Sequence, residues 1–551
     1  MAGGGRAVIF LRIFFPLRHS MGGNEYTEHC FSGSLSMPFP IVRAIPVTAP
    51  PPSLRDNTGD LDRLKRALLP ELTGVPPLVP QARLAAVAAA FRRAGFTGAA
   101  IVNDLAGLPQ LVDFLPAPPP SLPAMALDLG TTHLEASLID LVHGTVLARA
   151  NRENSQIRHG ADILSRIHFA ARGDGLTLLH AGIIEDVNCL AIELAKAAGL
   201  ACGEVRALSV SGNTTMVHFF LGLDPHHLCR EPYIPLVNAP DPCPAAELGL
   251  AIHPAAPVWL LPSVGSYFGG DLIAGVLASG LDLGEQTSML IDVGTNAEVI
   301  VGNREWLIAC AGAAGPALEG GVARMGMRAG PGAIEHLAID LETKAIRYST
   351  IGNARPRGIC GSGIIDLVAG LYLSRQIDIR GKFRPQATGE RLRMGDEGWI
   401  FVVVPGEESA DGRPVVLSQV DLDALMRSKA AMYAILTTLL NQVGVGFAEL
   451  HRIYVAGAFG RHIAPRQAIV LGMLPDLPLA TYEPVGNSSL AGAELVLRDG
   501  AARRRALTLA KKITYLELNV NQEFMLRFSG SRFIPHTDRS LFPSVPFFEG
   551  E

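Results

Sequence analysis

Two stretches of this chain repeat one pattern of apolar and polar positions. The apolar run Ala124-Met125-Ala126-Leu127 leads into Asp128-Leu129-Gly130-Thr131-Thr132, and Ser288-Met289-Leu290-Ile291 leads into Asp292-Val293-Gly294-Thr295-Asn296. Alternating residues follow each. The first copy continues over 133–141, turns at 142–145 and resumes over 146–150. The second continues over 297–301, turns at Gly302-Asn303 and resumes over 304–310. A period of two predicts strands, and the glycine-bearing interruptions predict turns. Each copy therefore reads as strand, glycine turn and hairpin. The repeat predicts a duplicated β-sheet domain with a phosphate-binding turn in each half and a nucleotide clamped between them.

Between and around the repeats the period lengthens to that of a helix. Leu61, Leu64 and Leu68 predict a helix over 60–69, with Asp56 or Asn57 as its cap. Helices are also predicted over 84–94, 186–198, 364–373 and 466–472. A longer one over 421–442 carries a stripe of Leu422, Leu425, Met432, Ile435, Leu436 and Leu439, which reads as core packing. Short strands are predicted over 207–210 and 452–455, and a strand-like run over 513–520. Proline runs at 44–53 and 116–120 read as extended linkers. The organisation expected is an irregular segment 1–37, a linker and small α/β module over 38–122, one half over 123–284, a second over 285–510, and a C-terminal strand and tail over 511–551.

Composition narrows the partners. A net charge of −5 argues against nucleic acid, which needs a basic surface. The apolar stretch 7–17 contains Arg12 and is too short to span a bilayer, so no membrane segment is expected. The seven cysteines (Cys30, Cys189, Cys202, Cys229, Cys243, Cys310 and Cys360) form no C-x-x-C pair and match neither zinc nor ferredoxin spacing. Their scatter fits free thiols in a reducing, cytoplasmic setting.

Candidate chemistry gathers at the glycine turns. Glycine lets backbone approach a phosphate, threonine adds a hydroxyl and an N–H donor, and a strand-end aspartate can hold Mg2+ through water. One Asp-x-Gly-Thr turn is also an ordinary hairpin signal; two in matching contexts favour phosphate. Gly457-Ala458-Phe459-Gly460, after one strand and before a helix, reads either as a ligand-facing turn or as a tight βα connection. Gly361-Ser362-Gly363 opens a helix whose N-terminus can take an anion. The glycines of 311–321 serve packing or a hinge as readily as a ligand, and residues 211–215 carry polar groups for a ligand or an interface. His226-His227 lacks further spaced ligands and reads as a solvated loop. No G-x-x-x-x-G-K-[ST] loop and no G-x-S-x-G elbow in a hydrolase context is present.

These motifs resemble those of the superfamily of acetate and sugar kinases, heat-shock chaperones and actin, in which two RNase H-like halves close on ATP. More narrowly, PPPSLRDNTGDLDRL (50–64), ALDLGTTHLEASLIDL (126–141), GADILSRI (160–167), IDVGTNAEVIVGN (291–303), AGPALEGG (314–321), GICGSGIIDL (358–367), VAGAFG (455–460) and LPDLP (474–478) resemble the ATP-dependent reductive activators of corrinoid proteins. The resemblance implies an α/β, actin-like ATPase that returns a Co(II) corrinoid protein to Co(I) in a methyltransferase system. It implies that Asp128 and Asp292 are the catalytic, Mg2+-holding carboxylates. Gly130, Thr131, Thr132, Gly294, Thr295 and Asn296 would grip the phosphates of ATP, and Gly457, Ala458 and Gly460 would meet the adenosine, with Gly361, Ser362 and Gly363 as a further candidate turn.

Two positions depart from the pattern. Ala297 stands where glycine is common, and the ferredoxin cysteines of many such activators have no counterpart here. No iron–sulfur cluster is therefore expected in this chain: either electrons come from a separate low-potential electron donor, or the N-terminus that carries the cluster is missing from this sequence. A homodimer stays open. Two rival readings also stay open: a small-molecule kinase on the same fold, and an ATP-binding switch with little turnover.

Overall fold

The computed structural model describes residues 39–548, apart from 106, 295, 313–323, 328, 397, 458–459, 461–462 and 519–520. Its first element answers a misleading signal. Residues 44–53, expected as linker, begin with a true strand, β1 (Arg43–Thr48), because Ile45 and Val47 alternate inward while Pro46 is tolerated on an edge strand. β1 is the edge of an antiparallel sheet with β2 (Thr97–Asn103) and β3 (Gln110–Leu115). The helices Asp60–Leu68 and Leu84–Arg93 bury Leu64, Leu68, Val87 and Phe91 against it. The first of these has Gly59, not Asp56 or Asn57, at its N-cap; Asp56 is engaged instead by Arg63 and Thr58. Several bonds anchor the module to the rest of the chain: Asp113 of β3 takes Arg206 at 3.1 Å, Ile41 N–H donates to Leu497 O at 2.8 Å, and Arg503 donates to Phe39 O at 3.0 Å.

The first half is a six-stranded sheet. β4 (Pro123–Leu129), β5 (His133–Asp140) and β6 (Thr145–Glu153) run antiparallel, β7 (Leu208–Gly212) lies parallel to β4, and β8 (Cys243–Pro244) and β9 (Pro257–Leu260) complete it in the order β6-β5-β4-β7-β9-β8. The helix Gly175–Ala197 begins eleven residues before the periodicity placed it, as its range shows. It buries Leu179, Ile183, Val187, Leu190 and Leu194 in the core of this half. It is the one described helix long and apolar enough to cross a membrane.

The second half repeats the plan. β10 (Ser288–Val293), β11 (Ala297–Gly302) and β12 (Leu307–Gly312) are antiparallel. Two small three-stranded sheets follow: β13 (Ala333–Ile339), β14 (Ile346–Thr350) and β15 (Gly358–Ile359), then β16 (Leu392–Gly395), β17 (Gly398–Val404) and β18 (Val415–Ser418). β19 (Ile453–Ala456) returns parallel to β10, β20 (Tyr482–Gly486) lies parallel to β19, and β21 (Ile513–Tyr515) pairs with β12. The strand expected over 513–520 is thus shorter, and it extends this sheet instead of standing in a separate tail. The order β20-β19-β10-β11-β12 matches β9-β7-β4-β5-β6 strand for strand. The helix Gln419–Gln442, capped by Ser418, buries all six stripe residues.

Two helices join the halves at the pseudo-symmetry axis. Gly270–Ser279 follows β9 and Ser488–Arg498 follows β20, so they are equivalent elements of the two copies. Their backbones touch: a Cβ on Gly492 would lie 2.4 Å from Ala274 Cα.

Candidate functional site

The strand ends of both sheets face one cleft, where the pattern repeats in atomic detail. Asp128 is the penultimate residue of β4 and Asp292 the penultimate residue of β10. After Asp128 the chain turns at Gly130, where a Cβ would sit 2.2 Å from His133 O, so only glycine fits. Buried Asn154 fastens this turn: its Nδ2 donates to Gly130 O at 3.0 Å and its backbone N–H to Thr132 O at 2.9 Å. Asn213, which caps the helix Thr214–Leu221, donates from Nδ2 to Thr131 Oγ1 at 3.0 Å. Thr131 and Thr132 remain partly exposed.

In the second turn Gly294 N–H donates to Asn296 O at 2.9 Å, and the Asn296 side chain hydrogen-bonds Glu298. Gly457 follows β19 at φ 74°, and a Cβ there would fall 2.6 Å from Asp292 Oδ1 and 2.7 Å from Val293 O. The third glycine turn is thereby brought against the second. Gly460 is equally constrained, 2.1 Å from Val455 O. Thr295 and Ala458 lie outside the described residues. Gly361, Ser362 and Gly363 are buried at the start of the helix Gly361–Leu373; Ser362 Oγ donates to Glu335 O at 2.8 Å, and Gly363 makes room for Ile334 O. Their visible work is packing.

Sequence reasoning missed a second acid in each half. Glu135 stands directly opposite Asp128 on β5, and Glu298 directly opposite Asp292 on β11, so each pair shares one sheet face. A further carboxylate, Asp271, comes from the first turn of Gly270–Ser279. The available signal was a glutamate six or seven residues after each aspartate, interrupting the apolar strand that leaves the turn. The halves treat their pairs differently. Across the cleft, the N-terminus of Ser488–Arg498 reaches the first pair: Asn487 Nδ2 donates to Asp128 Oδ2 at 2.8 Å and to Glu135 Oε2, and Ser489 Oγ donates to Asp128 Oδ1 at 2.7 Å. Ser489 also bonds Ser211 of β7 at 2.8 Å. The second pair has no such clamp among the described residues.

The electrostatics record that difference. Burial, reinforced by the charge on Asp271 and then Asp128, pushes the Asp292 carboxyl up to about 7. Burial, with Asp128 adding, pushes Asp271 up to about 7. Burial, with repulsion from Asp271 and Asp292, raises Glu298 well above the usual range, although Asn296 opposes this. All three stay partly exposed at the cleft wall, and among the described residues none of them forms an ion pair.

Three carboxyls that repel one another and have no ion-pair partner among the described residues ask for a cation. The donors are hard oxygens, which suits Mg2+. Among the described residues no three acidic, histidine or cysteine side chains converge into a ready cage. The fit is therefore to an ion held by one or two carboxylates, water and phosphate oxygens, which is how Mg2+ accompanies a nucleotide.

Comparison with known proteins gives the same direction. Residues 123–284 match the model of the RACo middle region, and residues 286–546 match that of the C-terminal domain of RACo, the ASKHA domain. The corrinoid activation enzyme RamQ of Eubacterium limosum is 32% identical over 426 residues, covering 76% of this chain and 71% of that protein. The chain belongs to the RACo family of corrinoid activators. A [Co(II) methylated amine-specific corrinoid protein] reductase of Methanosarcina barkeri is 24% identical over 71% of this chain and 72% of its own. A solved reductive activator for a corrinoid, iron–sulfur protein superposes with a TM-score of 0.85 at 37% identity, over 93% of this chain and 82% of that one. The actin-like ATPase fold that the resemblance implied is the fold of this RACo-family protein.

Proposed function

We propose that this protein uses ATP to return a corrinoid protein from Co(II) to Co(I), so that it can again accept methyl groups. The observation that carries the reading is the pair of Asp-x-Gly-Thr turns facing one cleft, each with a second carboxylate in the same register, in a chain of the RACo family.

Each residue then has a role. The backbone and hydroxyls of Gly130, Thr131 and Thr132, with Gly294, Thr295 and Asn296 opposite, hold phosphate oxygens between the halves. Gly457 and Gly460 leave backbone room on the adenosine side, where the resemblance also places Ala458, and Gly361, Ser362 and Gly363 shape the subdomain beside it. Asp128 and Asp292 would hold Mg2+, which, when bound, neutralises phosphate charge. Asn487 and Ser489 fix Asp128 by using both of its oxygens. Glu298, beside Asp292 on the same sheet face, can orient a water and take its proton.

ATP held by both halves favours a closed form. Work on the partner follows if that form binds one state of the corrinoid protein better than the other. The six described cysteines are free, and we assign the electron to a separate low-potential donor. ATP hydrolysis with and without a cognate corrinoid protein tests the reading. Stimulation by the partner, with appearance of Co(I), supports it. Phosphorylation of a small metabolite with no effect on any cognate corrinoid protein would replace it with a kinase.

A further inference from the structure

The phosphate turn of the first half is connected by hydrogen bonds to an exposed surface segment. Asn213 reaches Thr131 from the cap of Thr214–Leu221. The next residue, Thr214, donates from Oγ1 to Gly265 O at 2.7 Å. Gly265 lies in the loop leading to Asp271, and its N–H bonds Asn238 Oδ1 at 3.1 Å. One turn along the same helix is His218, fully buried. Its Nδ1 meets Thr214 O at 2.7 Å, and its Nε2 accepts from Leu236 N–H at 3.2 Å. Only a neutral ring protonated on Nδ1 makes both bonds, and burial lowers the histidine's affinity for a second proton. Ser266 Oγ holds the far side of the segment through Tyr233 O at 2.6 Å. The segment itself turns Ile234 and Leu236 outward, 62% and 57% exposed.

Thr131 has a role in the proposed function; the groups beyond it have none. A buried histidine spent on one loop amide, from a helix whose cap touches the phosphate turn, makes a two-ended tie. We infer that His218 is a positioning residue that couples occupancy of the nucleotide cleft to the conformation of residues 231–238. Nucleotide that draws in Thr131 moves Asn213 and the first turn of its helix; His218 passes that shift to Leu236. The surface around Ile234 and Leu236 thereby changes with nucleotide, which the corrinoid partner of the proposed function can read. The inference rests on that proposed reading for its partner, and on the geometry alone for the coupling.

Hydrogen exchange on the full chain, with and without Mg and a non-hydrolysable ATP analogue, tests it. In the wild type the Leu236 amide is expected to exchange about tenfold more slowly with nucleotide, within the usual range of coupling between sites. His218→Asn keeps a donor near the Nδ1 position and lacks the Nε2 acceptor; it should lose that slowing while basal ATPase and the KM for ATP stay unchanged. His218→Gln restores an acceptor near Nε2 and should recover it. Slowing that is absent in the wild type despite measured nucleotide binding, or that persists in His218→Asn, overturns the coupling while leaving the proposed function standing. Absence of nucleotide binding in the wild type overturns both.

Discussion

Asp292 is the residue where structure and chemistry pull hardest against each other. Its carboxyl sits near 7 in the folded chain and near 4 in an unfolded one. Between those values the unfolded state gives up a proton that the folded state keeps. Stability therefore falls as pH rises through the window, and the full cost is present above it. Asp292→Asn removes the cost. In nucleotide-free protein its stabilising effect is expected to grow by about 1–2 kcal/mol between about pH 5.5 and about pH 8, read by chemical denaturation at both pH values. An equal or smaller gain at the higher pH would mean that the carboxylate is not repelled there. The same variant should hydrolyse no ATP, a trade of stability for function. Gly457 makes a second case: alanine meets a left-handed backbone, costing about 1–2 kcal/mol, and a collision with Asp292 Oδ1. Gly457→Ala is expected to raise the KM for ATP about tenfold or more, besides lowering the melting temperature by the few degrees that about 1–2 kcal/mol costs. A fall in melting temperature with unchanged ATP kinetics would separate this turn from the nucleotide.

The elements that join the halves carry the next expectation. Gly492 lets Ser488–Arg498 lie against Gly270–Ser279, and the former helix brings Asn487 and Ser489 to Asp128. Gly492→Leu should force the helices apart, cost about 1–3 kcal/mol by overpacking and withdraw the clamp from Asp128. A thermal melt together with ATPase assay checks this; full activity in a destabilised protein would show that the clamp is dispensable. Much at this scale was legible in the sequence. The repeated hairpins, both aspartates and the stripe of Gln419–Gln442 stand where periodicity put them, because period and turn chemistry are local. Glu135, Glu298 and Asp271 were not singled out, since a lone acid in a strand or helix start shows its meaning only once the register is known. Asn487 reaches Asp128 from a distant stretch of chain, a contact no local pattern encodes. Strand β1 was hidden by Pro46, tolerated on a sheet edge.

At the scale of the whole molecule, the two halves put complementary groups on one cleft. The first contributes an acid pair clamped by Asn487 and Ser489, and the second a pair whose carboxyls burial and mutual repulsion push upward; in the proposed function both copies would grip one nucleotide. The most direct measurement is the absorbance of a cognate Co(II) corrinoid protein mixed with this chain, an external low-potential donor and Mg-ATP, for wild type and Asp292→Asn side by side. The expected result is conversion to Co(I) by the wild type with ATP, and slow or no conversion without ATP or with the variant. Conversion at the same rate with and without ATP, or by Asp292→Asn as fast as by wild type, would contradict an ATP-driven cleft as the source of activation.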